Sequence, residues 1–530
     1  MSVGYINGTF FHSDAEAILV EDGIITMTGT NAEILAAVTK EDEIVDLAGT
    51  YTVPGFIDSH MHLIGLGQFL TNLQLDDCES LDELLDLLRQ KAAETKAGEW
   101  IIGRGYNEDR FPDHRRPVKS MLDAVCPDKP VALTRACGHA MSVNSKAMEL
   151  AGIDEHTTVE GGHIDFADGI IEENAITLIH DAWPKDTPVS VRKAISAGMR
   201  YCNKKGITTV CSDDFPNAGD DYRLPLDVFE QLSYRQELTV RVNEQCEFGS
   251  VKEFSEFLDD GYTTDVGNDY FRIGPLKLIT DGSLGARTAA LSGTYADDPS
   301  RTGYMAINDE DLELYVKLAA RFNMPAIAHC IGDDAVDRVL AAYEDVVLEG
   351  NPLHHGIVHC QIMRPDQIQK VLDKKLVCYF QSLFVDYDAS ILEARVGREL
   401  AKTSYPFRTL FEGTIACNGS DAPVELNDPL RGIMLAVTRE SKRFPGCSMN
   451  KDEALTVEQA VMSYTEKGAE AIFMEDRIGR IKEGYYADFA VLDTNIMACD
   501  VNAIGDAKVL MTVMNGERVY EYVPDDPEGR

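Results

Sequence analysis

The chain is poor in positive charge. Its 49 lysines and arginines face 89 aspartates and glutamates, a formal net charge of −40. That balance argues against binding nucleic-acid backbone or anionic membrane through broad basic patches, and no DNA-reading motif is present. It leaves a small active site unconstrained, because a local cluster can oppose the global field. No apolar stretch approaches the length that spans a bilayer. The opening MSVGYINGTFF lacks the basic region and apolar run of a secretory signal, so a cytoplasmic location is expected. The 12 cysteines include no C-x-x-C pair. Cys211, Cys330, Cys360 and Cys417 sit inside apolar runs and read as reduced, buried small residues.

What is present is the composition of an ordinary globular protein, 44% hydrophobic and 26% charged. At 530 residues the chain is too long for one simple core and predicts a large domain with additional parts. The stretch VPGFIDSHMHL, residues 53–63, is an apolar run ending in two histidines one residue apart. On a strand, residues i and i+2 share a face, so His60 and His62 project toward one point. Such a pair suits zinc or a first-row neighbour. In isolation it equally suits two half-buried polar residues at a strand end.

Seven further apolar runs follow, each separated from the next by intervening sequence that is mostly helical in pattern: ITTVCSDD, LTVRVNEQ, FRIGPLKLIT, PAIAHCIG, HGIVHCQ, VCYFQS and TIACNGSD. Eight strand and helix alternations predict an α/β fold, a closed (β/α)8 TIM-type barrel. The runner-up, an open doubly wound sheet, would want a glycine-rich dinucleotide loop that the sequence lacks. Barrel active sites lie at the C-terminal strand ends. There the first strand carries His60 and His62, the fourth Lys277, the fifth His329, the sixth His359 and the eighth Asp421. Each has a structural alternative as a hydrogen-bonded core residue; together, at matching strand ends, they predict a metal site.

Residues 17–29 read as a hairpin around an Asp-Gly turn, and residues 479–493 and 509–523 look the same, the last around Asn-Gly. Hairpins at both ends predict a small β-sandwich assembled from 1–53 and 468–530, with the barrel over 54–467. Residues 75–183 interrupt the alternation and read as an insertion after the first strand, a lid or specificity segment holding Tyr106, Arg110, Phe111, Arg115 and Arg116. Within it, Leu81 to Ala97 is helical behind a Ser80–Glu83 capping signal, and 103–116 is irregular.

These motifs, with GHAMSVNSKAM, LKLITDGSLGARTAAL, AHCIGDDAVD, NGSDAPVE and GRIKEGYYADFAVLD, resemble the amidohydrolase superfamily, and within it the branch of N-substituted formamide deformylases and related metal-dependent hydrolases. The resemblance implies hydrolysis of a non-peptide carbon–nitrogen bond in a small-molecule amide. It implies two zinc ions per chain, or one. His60 and His62 would hold the more buried metal, and His329 and His359 the more exposed one. Lys277, carboxylated by carbon dioxide, would bridge them, and Asp421 would bind metal and handle the proton. His139 is similar to a family position that steadies the oxyanion, or else caps its own loop. Arg287 would bind a substrate carboxylate, or else pin its loop. Asp333 would hold the His329 loop. A homodimer is the family expectation.

Lys277 also has two other readings, an ion pair with Asp281 or a substrate contact beside a single metal. Val358, Cys360, Asp334 and Ala422 depart from the family pattern and alter the pocket. Cyclic amide hydrolysis shares all of this chemistry. A single-metal deaminase would want a glutamate soon after His329, which CIGDDAV does not supply, and a non-catalytic regulatory protein would have no need of an intact ligand set.

Overall fold

The eight apolar runs are eight parallel strands in a single sheet. In the computed structural model, which describes residues 2–219 and 221–524, we label them β1 (Phe56–Met61), β2 (Ile207–Ser212), β3 (Arg241–Glu247), β4 (Phe271–Ile279), β5 (Ala326–Cys330), β6 (Gly356–His359), β7 (Val377–Phe380) and β8 (Ala416–Asn418). Neighbours in sequence are neighbours in the sheet. Nearly every residue of these strands is buried, which is why they read as continuous apolar runs rather than as alternating ones.

The ends of the sheet meet. Just past β8 the Asp421 amide donates to the His60 carbonyl at 2.8 Å, and the Ser420 amide and hydroxyl donate to Asp58 at 2.9 and 2.6 Å. Gly419 permits this closure: a Cβ there would stand 2.6 Å from the His60 nitrogen. Register then sets the functional face. Glu247 is level with Lys277, Ile279 with His329, and Cys330 with His359.

The alternating helices surround this sheet, among them Pro188–Lys204, Arg223–Tyr234, Asp309–Arg321 and Asp333–Ala342. Helices Leu392–Ala401 and Pro429–Thr438 lie outside the predicted alternation.

A compact unit of Met1–Leu66 with Val191–Arg530 contains the barrel and the terminal strands. Strand Tyr51–Pro54 pairs with Thr9–Phe10 and with Phe489–Leu492 from the opposite chain end, and Tyr5, Ile18, Phe489 and Val513 share one apolar core. A second sheet holds Val3–Ile6, Ala17–Glu21, Ile24–Gly29 and Glu43–Asp46. Both Asx-Gly turns are hairpins, with positive φ at Asp22, Gly23, Asn515 and Gly516, as a type I′ turn requires. The 479–493 hairpin is corrected: only Phe489–Leu492 is a strand, and Tyr486 makes a lone bridge to Ile24. The Lys482–Gly484 turn uses up the residues a first strand would need.

The second unit, Gly67–Ser190, carries a six-stranded mixed sheet, part of which, Ile101–Tyr106, falls where irregular chain was expected. Gly105, at φ 96°, looks like a loop residue but lets the strand pass Asp76, whose carboxylate would stand 2.3 Å from a Cβ. The helix Leu81–Glu94 begins at Ser80, whose hydroxyl accepts from the Glu83 amide. The residues expected to furnish a lid are occupied within the unit. Tyr106 and Phe111 are buried, Arg116 pairs with Glu108 and Glu172, and Arg115 pairs with Asp113. All twelve cysteines are free, and no helix among the described residues is long and apolar enough to cross a membrane.

One buried histidine makes stability depend on pH. His355, 1% exposed, accepts the Ala326 amide on Nδ1 at 3.0 Å, so the ring must be neutral with its proton on Nε2. Burial pushes it down to about 4 from an ordinary 6.5. The unfolded chain therefore binds the extra proton between pH 6.5 and about 4. The stability from this group is complete above 6.5 and lost as pH falls, up to about 3 kcal/mol. Chemical denaturation at pH 7.5 and 5.0 should show the stability advantage of wild type over His355→Gln shrinking at pH 5.0; an equal advantage at both would refute this.

Candidate metal centre

The C-terminal strand ends bring the predicted cluster together. Nε2 of His60 and of His62 lie 3.4 and 3.2 Å from Asp421 Oδ1, and ligand atoms of the three residues all fall within 4.8 Å of one another. The imidazole rings of His60 and His359 are 5.6 Å apart, and those of His329 and His359 are 4.4 Å apart.

Second hydrogen bonds decide which nitrogen each ring presents. Gln245 donates its amide to the Ser59 carbonyl at 3.0 Å, which turns its oxygen toward His60 Nδ1 at 2.6 Å. Gln381 does the same at β7: it donates to the Tyr379 carbonyl and takes His359 Nδ1–H at 2.8 Å. His62 Nδ1–H is given to the Asp213 carbonyl at 2.7 Å. The His60 and His359 rings thus keep Nε2 as a free lone pair, while His62 turns its Nε2 to Asp421 at 3.2 Å. His329 is reversed, with Nε2–H on the Gly282 carbonyl at 3.1 Å, so that Nδ1 is left free. Locking one nitrogen to fix the other is what metal-binding imidazoles require. The left-handed φ of His359 (79°) and Asp421 (60°) is further strain concentrated at these strand ends.

Charge is arranged around this frame. Burial, reinforced by the Lys277 ammonium, keeps His60 well below the ordinary histidine value; burial and the neighbouring His359 do so for His329; and burial brings His359 down to about 4. These three rings are neutral and able to donate electron pairs. Burial also pulls on His62, but its hydrogen bond to Asp421 and the Asp213 carboxylate lift it to about 9. Burial would raise Asp421, yet the hydrogen bond from His62 holds it well below the usual carboxylate range. The proton behind that lowering must leave His62 before its Nε2 can hold a cation. A donor set of four oriented imidazoles and a carboxylate, buried at one strand-end face, fits a zinc-type ion.

Lys277 is 1% exposed and pairs with Asp213 at 3.3 Å, not with Asp281. Asp281 instead accepts the amides of Ile331, Gly332 and Ala290 at 3.1, 2.8 and 2.9 Å and so holds the His329 loop, the task expected of Asp333. Asp333 anchors Ser292 and Arg364. Arg287 donates Nε and Nη2 to the two oxygens of Asp297 at 3.0 Å, the loop-pinning alternative of its two readings. His139 belongs to the Gly67–Ser190 unit, where it pairs with Glu173 at 3.1 Å. A cavity of about 310 Å³ opens beside the cluster, lined from the loops after β4 to β8; its Phe384 stacks on His359 at 6.0 Å.

Gln245 and Gln381 were missed in the sequence. The available signal was a polar residue at the C-terminal end of a barrel strand, Gln381 beside the histidine-bearing β6 and Gln245 on β3, two strands from β1. Gln245→Leu and Gln381→Leu should each weaken metal binding by about 10–100-fold in competition with a chromophoric chelator; unchanged affinity in both would contradict the orienting role.

A parallel α/β barrel with imidazoles and a carboxylate converging on its C-terminal face defines a class, the metal-dependent barrel hydrolases. This chain belongs to the amidohydrolase family, whose model matches residues 43–520. It is 34% identical over 515 residues to the Bacillus subtilis (strain 168) protein YtcJ, whose name places it among amidohydrolases, covering 96% of each chain. It is 25% identical over 537 residues to the N-substituted formamide deformylase of Arthrobacter pascens, again covering 96% of each. Among solved structures it resembles an uncharacterized metal-dependent hydrolase from Pyrococcus furiosus, with a TM-score of 0.79, 26% identity, and 94% and 100% of the two chains covered.

Proposed function

We propose that the protein hydrolyses the carbon–nitrogen bond of a small non-peptide amide of formamide or related type, with zinc held by His60, His62, His329, His359 and Asp421. The observation that carries this reading is the convergence of His60, His62 and Asp421 within 4.8 Å, with the far nitrogen of each ring already spent. Kinship to a formamide deformylase supports the bond type.

A bound divalent ion supplies a nucleophile from water at neutral pH and Lewis acidity toward the carbonyl. The chain does the rest. Gln245, Gln381 and the carbonyls of Asp213 and Gly282 fix the rings. Asp421, freed of the His62 proton, takes a proton from the attacking water and returns it to the leaving nitrogen. Phe384, Ile331 and Leu284, lining the adjoining cavity, exclude bulk water.

Lys277, as a carbamate, would add an oxygen donor to the residues that hold the metal. Its ammonium pushes down His60, His329 and His359 and would oppose any cation nearby. Carboxylation replaces that positive charge by a negative oxygen donor. The test is release of amine and formate or other acid from a panel of N-formyl and N-acyl amines. Metal-dependent turnover of at least one class is expected, and turnover that survives exhaustive chelation would overturn the reading.

A further inference from the structure

The cavity beside His359 has apolar walls from Leu284, Ile331, Phe384 and Val424, and three acceptors set among them. Asp388 is 8% exposed. The Tyr405 hydroxyl donates to its Oδ2 at 2.5 Å, and the charged neighbour that it feels is Glu425, of its own sign. Glu425 lies 3.6 Å from Arg443, outside ordinary hydrogen-bond distance; Arg431 also reaches it but is paired with Asp386, so Arg443 is left to offset one of the two carboxylates. Gln361 is 2% exposed and its Oε1 has no partner among the described residues. A buried carboxylate without a countercharge is costly, and so is a buried carbonyl oxygen without a donor. One ligand group would satisfy both: a cation rich in N–H donors, with the Phe384 and Tyr387 rings nearby to favour it.

We propose that this cavity selects substrates carrying a basic group, an ammonium or amidinium set apart from the scissile bond by an apolar spacer, received by Asp388, Glu425 and the Gln361 side-chain oxygen. The inference rests on the hydrolase reading only for where the scissile bond lies. Calorimetric titration of the full chain at pH 7.5 with benzylammonium chloride, benzyl alcohol and sodium benzoate tests it without turnover. Benzylammonium should bind at least about tenfold more tightly than benzyl alcohol, and Asp388→Asn and Glu425→Gln should each erase most of that preference. Asparagine keeps an acceptor for Tyr405, and Glu425→Gln provides a second probe should the first fail to fold. Tightest binding of benzoate, or equal binding of the amine and the alcohol, would overturn the proposal. A parallel assay on N-formyl amines separates the two claims: turnover without the ammonium preference defeats the cation site alone, whereas the preference without turnover of any amide defeats the hydrolase reading and leaves the cation site standing.

Discussion

Asp421→Asn is expected to lower kcat on the best N-acyl or N-formyl amine by about 10²–10⁴-fold, with little change in melting temperature. Asparagine keeps the shape of the side chain and the backbone closure through the Asp421 amide on the His60 carbonyl. It can still face His60 and His62, but it cannot accept and return a proton. Stopped-flow or coupled formate assays on metal-replete protein give the number. A fall in KM alone, or a loss that tracks unfolding, would contradict a proton-handling role and reassign Asp421 to scaffolding.

Lys277→Met is expected to change metal stoichiometry as much as rate. Methionine fills a similar volume in a position that is 1% exposed, but it can carry neither an ammonium nor a carbamate. If the lysine bridges, the variant should drop from about two bound metals per chain to about one, and the benefit of bicarbonate during preparation should vanish with it. In metal-free, uncarboxylated protein Asp213, which pairs with the Lys277 ammonium at 3.3 Å and has a buried Oδ1 without a partner among the described residues, loses its countercharge in the variant. Some loss of thermal stability is therefore also expected. Equal metal content in wild type and variant would remove the bridge and favour a single ion on His60, His62 and Asp421.

The barrel was legible because its strands are buried on both faces and reach the sequence as unbroken apolar runs, each ending in a polar residue that such a run would not otherwise contain. His60, His62, Lys277, His329, His359 and Asp421 could be placed from that rule alone. The elements that escaped it follow other rules. Ile101–Tyr106 is a strand whose two glycines serve close approaches, Gly103 to Leu133 and Gly105 to Asp76, so local propensity points away from it. The supposed hairpin at 479–493 has strand-like composition on both sides of its turn, but only one side finds a partner. Gln245 and Gln381 have no periodic signal, and they matter because of what lies across the strand from them. Arg287 and the insertion's arginines illustrate the converse: a cation in a loop is visible in the sequence, while the carboxylate that occupies it, Asp297, Glu108 or Asp113, becomes evident only in three dimensions.

Metal content bears most directly on the central claim. Elemental analysis of wild type and of a His60→Asn/His62→Asn double variant, purified identically with bicarbonate and zinc and then dialysed, should find about two zinc ions per wild-type chain. In the variant at least one should be missing and amide hydrolysis abolished. Wild-type protein that retains no metal, or a double variant that keeps its full complement, would contradict the assignment of this strand-end cluster as the metal centre.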